Sequence, residues 1–233
     1  MGWKRYWTAW SRYHHSGGFG IHSPYAYRFV RNVWHQPLPY YAYEGIHQLL
    51  DTIRGGTSRR QQREMDVIGE REARLLFRVT NFFNPRHILQ VGAATGTESV
   101  AMLEVSANSR LYLFDPQLEQ NALALRVLQT QLHRIECFDD ISVAINDFLE
   151  NSREDEAPAL SLINSPIEEE MLQRLLNRET VLVMRNLRHS TAMRTLFDNC
   201  RRLMTKGQTY TNDKIAILLP HPKLQREDFS LWL

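Results

Sequence analysis

His87-Ile-Leu-Gln-Val-Gly-Ala-Ala-Thr-Gly-Thr-Glu-Ser-Val-Ala-Met-Leu-Glu-Val-Ser-Ala-Asn-Ser-Arg110-Leu-Tyr-Leu-Phe-Asp-Pro116 decides how the rest of the chain is read. His87 to Val91 is a short, mostly apolar run of strand type. Gly92 and Gly96 bracket a loop small enough to let a ligand approach the backbone. Thr97 stands where it can cap a helix through about Ser106. Arg110 to Phe114 is a second apolar run, ended by Asp115 and Pro116. Open α/β sheets hold a nucleoside with a glycine loop after a first strand and an acid roughly 20 residues later. The loop suits backbone contact and the carboxylate suits a ribose diol. The competing reading is an ordinary βαβ turn whose acid caps the next element.

Composition sets the outer limits. The 233 residues, 43% hydrophobic and 23% charged, are those of a globular chain able to bury a sizeable core. A net charge of +2 is too mild to demand a polyanionic partner. Two cysteines, Cys137 and Cys200, suggest neither a disulfide framework nor a cysteine metal site. The N-terminus has no apolar core of signal-peptide length, and no run reaches the length of a membrane span. A cytoplasmic protein is the expectation.

Residues 1–43 contain no Asp or Glu but thirteen aromatic side chains with scattered Arg and Lys. Such a mixture can stack on bases and neutralise phosphates. It also suits an aromatic lead packed over a main domain, which the scattering of the charges favours. Trp3, Trp7 and Trp10 recur at helical spacing. Ser23 and Pro24 read as the N-cap and first turn of a helix. A second helix is expected over 43–53. Residues 55–63, polar and rich in arginine, read as a mobile loop or lid. Residues 1–69 are therefore expected to form a helical, aromatic-rich extension and residues 70–233 the main domain.

Beyond that boundary, elements alternate. Helices are expected over 70–83 and 118–133, the second on the stripe of Leu125, Leu128 and Leu132. Ile141 to Ile145 reads as a third strand, with Asn146 and Asp147 heading a short helix. Strands over 160–163 and 181–184 follow, each before a helix, the second helix capped by Ser190. Residues 208–211 and 215–219 flank Asn212-Asp213 as a β-hairpin. The pattern predicts an α/β fold: a mostly parallel, Rossmann-like sheet, a C-terminal antiparallel hairpin and a helical N-terminal extension.

The loop chemistry narrows the ligand. A dinucleotide site wants Gly-x-Gly-x-x-Gly, and Ala94 stands between the only two glycines here. A P-loop needs lysine where Gly96-Thr97-Glu98 has an acid, and that charge repels phosphate. A cationic, phosphate-free nucleoside such as S-adenosylmethionine fits better.

Gln90-Val91-Gly92-Ala93-Ala94-Thr95-Gly96 with Phe114-Asp115 resembles the first two motifs of class I S-adenosylmethionine-dependent methyltransferases. The segments Gly20-Ile21-His22-Ser23-Pro24, Leu75-Leu76-Phe77-Arg78 and Pro220-His221-Pro222-Lys223-Leu224 resemble a small O-methyltransferase-like family within that superfamily. The resemblance implies that Gly92, Ala93, Ala94 and Gly96 lie beneath the methionine part of the cofactor, with Thr97 at the adjacent helix start. It implies ribose bonding by Asp115 and places Asn146 or Asp147 near the adenine. The family usually has an acid where Gln90 stands. Metal-dependent relatives have an Asp after the fourth strand and Asp-Asn after the fifth, where this chain has Asn164 and Arg185-Asn186. A divalent ion prefers anionic oxygen, so no metal is expected, and Arg185 can put its own charge in the ion's place.

Methyl transfer needs positioning more than acid–base chemistry. A base helps if the acceptor is a hydroxyl, and His22 and His189 are candidates by placement. The expected function is metal-independent methyl transfer from S-adenosylmethionine to a small-molecule acceptor, without a nucleic-acid partner and with homo-oligomerisation left open. The alternatives are a catalytically degenerate binding or scaffolding module, favoured by Gln90, Asn164 and Arg185, and an RNA methyltransferase using the basic N-terminus.

Overall fold

Short apolar runs punctuated by polar caps become alternating strands and helices throughout residues 21–233, which the computed structural model describes. In chain order these are α1 (Pro24–Phe29), a π-helical turn (Val30–Trp34), α2 (Ala42–Gly55), α3 (Arg59–Glu64), α4 (Glu70–Phe83), β1 (His87–Val91) and α5 (Thr97–Leu103). Then come β2 (Arg110–Phe114), α6 (Ala122–Leu128), β3 (Ile135–Phe138), α7 (Ile141–Asn151), β4 (Leu160–Ile163) and α8 (Glu169–Asn177). The chain ends with β5 (Val181–Met184), α9 (Thr191–Leu203), β6 (Gln208–Thr211), β7 (Ala216–Leu219) and β8 (Glu227–Ser230). The helix expected around Trp3, Trp7 and Trp10 lies outside the described residues.

The described chain divides into two compact units, Leu38–Ser165 and the segments before Leu38 and after Ser165. The boundary expected after residue 69 falls inside the first of these, between α3 and α4.

In the unit Leu38–Ser165 the strand order is β3-β2-β1-β4, all parallel. Gln90 pairs in register with Leu113 of β2 and Leu162 of β4. β4 is buried along its whole length and β1 from its second residue onward, as expected of parallel strands covered by helices on both faces. β3 is partly exposed: Glu136 and Cys137 face water and mark it as the edge. α4 ends where Asn84 adopts a left-handed conformation (φ 46°) ahead of Pro85, a helix stop both residues favour. Its Phe77 packs against Ile46 and Leu50 of α2, with Tyr43 edge-on at 5.9 Å.

The other unit has the order β5-β7-β6-β8. β7 runs antiparallel to both β5 and β6, and β8 runs parallel to β6. The expected hairpin is present, its turn held by Asn212 Oδ1, which accepts from the N–H groups of Lys214 and Ile215. Ser23 Oγ caps α1 at Ala26 and also accepts from Gln208 Nε2 at 3.0 Å. Tyr210 donates to Gln208 Oε1, and its ring packs against Phe29 at 4.5 Å and Phe229 at 5.1 Å between centroids. Burial in this stack pushes the Tyr210 phenol well above its ordinary value.

Four local expectations are corrected. The third strand is Ile135–Phe138, and Ile141–Asn151 is a helix. Asp140 Oδ1 accepts from the N–H groups of Ser142 and Val143, so the helix begins where a strand was expected. Residues 118–133 do not form one helix: α6 is flanked by 3-10 turns at Leu118–Gln120 and Leu132–Arg134. The stretch expected as a loop over 55–63 runs into α3, opened by a Ser58/Gln61 capping box. Finally, Gly96 and not Thr97 is the N-cap of α5.

Candidate functional site

The carboxyl ends of β1, β2 and β3 converge within the unit Leu38–Ser165. Ligands of open α/β sheets bind at this end. A cavity of about 460 Å³ lies at the opposite end of β1, lined by Asn84, Arg86, Glu154 and Glu156; none of the sequence-predicted site residues lines it.

The loop after β1 is built from residues in uncommon backbone conformations. Gly92 (φ 85°), Ala94 (φ 46°) and Gly96 (φ 79°) are all left-handed. At Gly96 a Cβ would also lie 3.1 Å from Leu128 and 3.3 Å from the Ala124 carbonyl oxygen. Glycine is therefore required there by both conformation and close approach of α6. Ala94 carries the αL cost without being glycine, and Asn121 braces it: Nδ2 donates to the Ala94 carbonyl at 2.7 Å. The same side chain caps α6, Oδ1 accepting from Ala124 N–H at 3.0 Å. Sequence reasoning missed Asn121, although an Asn just before the apolar helical stripe was its available signal.

Asp115 directly follows β2, half-buried. Its Oδ2 accepts from Ala93 N–H and its Oδ1 from Gln117 N–H, both at 2.9 Å. The carboxylate is thus held against the glycine loop, while each oxygen keeps a second lone-pair site for a hydroxyl donor.

Gln90 has no solvent exposure. Its Nε2 donates to Gly92 O at 2.9 Å, and its Oε1 accepts from Ser99 Oγ at 2.7 Å. Asn164 Nδ2 also donates to Gly92 O at 2.9 Å. One carbonyl of the loop therefore accepts from two side-chain amides. The Thr95 and Thr97 hydroxyls bond each other at 3.0 Å, both fully buried.

The structure gathers Gln90, Gly92, Ala93, Ala94, Gly96, Thr97, Asp115 and Asn164 around this loop. Asn146 and Asp147 are placed differently, in the middle of α7 instead of at a strand end. The residues at the carboxyl end of β3 are Asp139 and Asp140, and Asp115 N–H donates to Phe138 O beside them. Their signal was the Asp before a 141, 144, 145, 148 helical stripe, obscured because Ile141 to Ile145 is also β-branched and apolar. His22 and His189 are exposed just before the caps of α1 and α9 in the other unit. Arg185, which follows β5, is buried. Among the described residues no group of three or more His, Cys, Asp or Glu gathers as metal ligands would.

The Asp115 carboxylate and the small residues of the Gly92–Gly96 loop thus lie side by side, with Asp139 and Asp140 at the end of β3. Gln90 is neutral, and its amide is taken up in the loop's own bonding.

A methyltransferase from Geobacter sulfurreducens has a TM-score of 0.53 at 17% identity, covering 78% of this chain and 92% of that one. A Staphylococcus aureus protein, provisionally named a caffeoyl-CoA O-methyltransferase, has a TM-score of 0.50 at 14% identity, covering 76% and 99%. An SAH-bound methyltransferase from Podospora anserina has a TM-score of 0.50 at 10% identity, covering 78% and 88%. No protein-family model and no curated protein matches the sequence. The chain thus has the Rossmann-like fold of small S-adenosylmethionine-dependent O-methyltransferases.

Proposed function

We propose that the carboxyl ends of β1–β3 bind the nucleoside of S-adenosylmethionine and that the protein transfers its methyl group to a small-molecule acceptor without a metal. The observation that carries this reading is Asp115, whose carboxylate is fixed by Ala93 and Gln117 N–H groups and keeps acceptor capacity for two ribose hydroxyls. A carboxylate already bonded in its binding geometry loses little freedom when a diol arrives. It also favours a cation over a phosphate. The described residues contain no helix long and apolar enough to cross a membrane.

In this reading the cofactor supplies an activated methyl on sulfur, and the chain orients it. Gly92–Gly96 supports the 5′ side, Asp115 holds the ribose and Asp139 stands beside the base. Titration of the full chain with S-adenosylhomocysteine in a calorimeter tests it. Binding at one site per chain is expected; no heat of binding to folded protein would remove the reading.

A second reading, a nucleoside-binding module without turnover, is favoured by Gln90, Asn164 and Arg185. The Gln90 amide replaces a charge that would fix the cofactor's tail for transfer. Methylation of no acceptor, with binding intact, would select this alternative.

A further inference from the structure

The peptide between Gly92 and Ala93 is bonded by side chains at both of its polar ends. Its carbonyl, Gly92 O, accepts from Gln90 Nε2 and from Asn164 Nδ2, each at 2.9 Å. Its N–H, on Ala93, donates to Asp115 Oδ2, also at 2.9 Å. Gln90 is fixed in turn by Ser99, whose hydroxyl donates to Oε1 at 2.7 Å. A continuous run of hydrogen bonds thus passes from Ser99 on α5 to Gln90 on β1, and across one peptide plane to the carboxylate that follows β2. Asn164, following β4, joins it at the carbonyl. Gln90 and Ser99 have no solvent exposure, and Asn164 is buried.

The backbone at this peptide has little stiffness of its own. Gly92 has φ 85°, and a Cβ there would lie 2.8 Å from Ser165 Oγ, so glycine is required at the position where the loop begins. Glycine leaves the adjoining peptide easy to rotate, and rotation would take the Ala93 N–H away from Asp115. Donors aimed at the carbonyl oppose that rotation, and bonds at the two ends of one amide polarise each other. Glutamine serves both of its neighbours at once, with an NH₂ for Gly92 O and an oxygen for the Ser99 hydroxyl. An ionised carboxylate only accepts, and at this position it would set its oxygen against the carbonyl.

We infer that Gln90 is a positioning residue of the nucleoside site: its Nε2–H holds the Gly92–Ala93 peptide in the orientation that fixes Asp115. The inference rests on the nucleoside site proposed above and gives the amide at position 90 a part in binding. An acid in its place breaks the run of bonds at the peptide.

Calorimetric titration of the full chain with S-adenosylhomocysteine, wild type beside the near-isosteric Gln90→Glu, tests this between pH 5 and pH 8. At pH 8 the variant is expected to bind about ten- to a hundredfold more weakly than wild type. Towards pH 5 that deficit is expected to shrink by about fivefold or more, because burial favours the neutral carboxyl, whose O–H can donate to Gly92 O. Packing alone predicts no deficit, since the two side chains share a shape. Affinity equal to or above wild type at pH 8, or a deficit that does not change with pH, overturns the inference. A Gln90→Glu chain that fails to fold at pH 8 is replaced by Asn164→Asp, which brings a carboxylate to the same carbonyl; it is expected to show the same pH-dependent deficit, and a pH-independent affinity overturns the inference. Wild type that binds no S-adenosylhomocysteine removes the nucleoside reading, and denaturant titration then decides the hold on the peptide. A stability deficit of Gln90→Glu that is larger at pH 8 than at pH 5 supports that hold, and a pH-independent one overturns it.

Discussion

The Asn121 side chain reaches back 27 residues to the Ala94 carbonyl and holds it at 2.7 Å while capping α6. One amide thus couples a left-handed alanine in the glycine loop to the helix packed over Gly96. Asn121→Ala is expected to cost about 1–3 kcal/mol in unfolding free energy, from a lost cap and a carbonyl without its donor. Asn121→Ser keeps a capping oxygen but is too short to reach Ala94. It is expected to recover much of the stability in denaturant titration, yet to bind S-adenosylhomocysteine about as weakly as the alanine variant. Equal binding by wild type and Asn121→Ser would show that Ala94 holds its conformation unaided.

Asp115→Asn tests the ribose assignment. An amide has one oxygen, so it can keep the bond from Ala93 or from Gln117 but not both in their present form. It also removes the charge from any bond to a hydroxyl. Affinity for S-adenosylhomocysteine and for adenosine is expected to fall together, by about ten- to a hundredfold. A loss confined to S-adenosylhomocysteine would move Asp115 from the ribose to the tail.

Much of the site was legible in residues 87–116 because strand, loop, strand and acid are local. β1 and β2 have the expected bounds, and Gly92, Gly96 and Asp115 stand where a βαβ reading puts them. The region after β2 was not. Ile-Glu-Cys-Phe is a short edge strand exposed in its middle, whereas Ile-Ser-Val-Ala-Ile has strand composition but helical burial at Ala144, Ile145 and Phe148. Asp140, capping that helix, outweighed β-propensity. Asn146 and Asp147 consequently lie within α7, and Asp139 and Asp140 follow the third strand. The strand β8 was missed because its pairing partner β6 is remote in sequence and its alternation, Glu-Asp-Phe-Ser, is weak.

The two cysteines should separate cleanly. Cys137 is exposed on the edge strand, although partial burial of its thiol raises its pKa. Cys200 is fully buried in α9, and burial pushes its thiol up to about 12, with Arg226 opposing the shift. A neutral-pH thiol reagent should modify one cysteine in the native protein, Cys137, and the second only after denaturant. Peptide mapping that finds Cys200 labelled without denaturant would show that α9 opens locally.

Gly207 and Gly55 make opposite predictions for the same substitution. Gly207 has φ 106°, and a Cβ there would lie 2.1 Å from the Leu219 carbonyl oxygen. That oxygen is backbone in β7, so relief requires the hairpin to shift. Gly207→Ala is expected to cost more than the roughly 1–2 kcal/mol of left-handed strain alone. Gly55 closes α2 with nothing within 4 Å of the added carbon. Gly55→Ala should leave stability unchanged or raise it by about 0.5–1 kcal/mol. Chemical denaturation of both variants checks the pair, and a tolerated Gly207→Ala would mean that the β6–β7 register is not fixed at its open end.

Asp228 of β8 gives the fold a defined acid response. Burial pushes its carboxyl up, but the hydrogen bond from Arg201, the Arg226 and Arg201 charges and the Thr209 hydroxyl together outweigh burial and hold it below 3.8. Arg201 Nη2 donates to Oδ2 at 2.7 Å and Nε to Oδ1 at 3.4 Å. A carboxyl depressed in the folded state binds its proton more readily in the unfolded chain. Its contribution is therefore present above 3.8 and lost as pH falls through the lower folded value. Both partners are more than a third exposed, so screening keeps the contribution modest and salt-sensitive. The unfolding free energies of wild type and Asp228→Asn should differ more at pH 6 than at pH 3, and the pH 6 difference should shrink in 1 M salt. A difference independent of pH would assign Asp228 a packing role and leave the Arg201 ion pair without effect on stability.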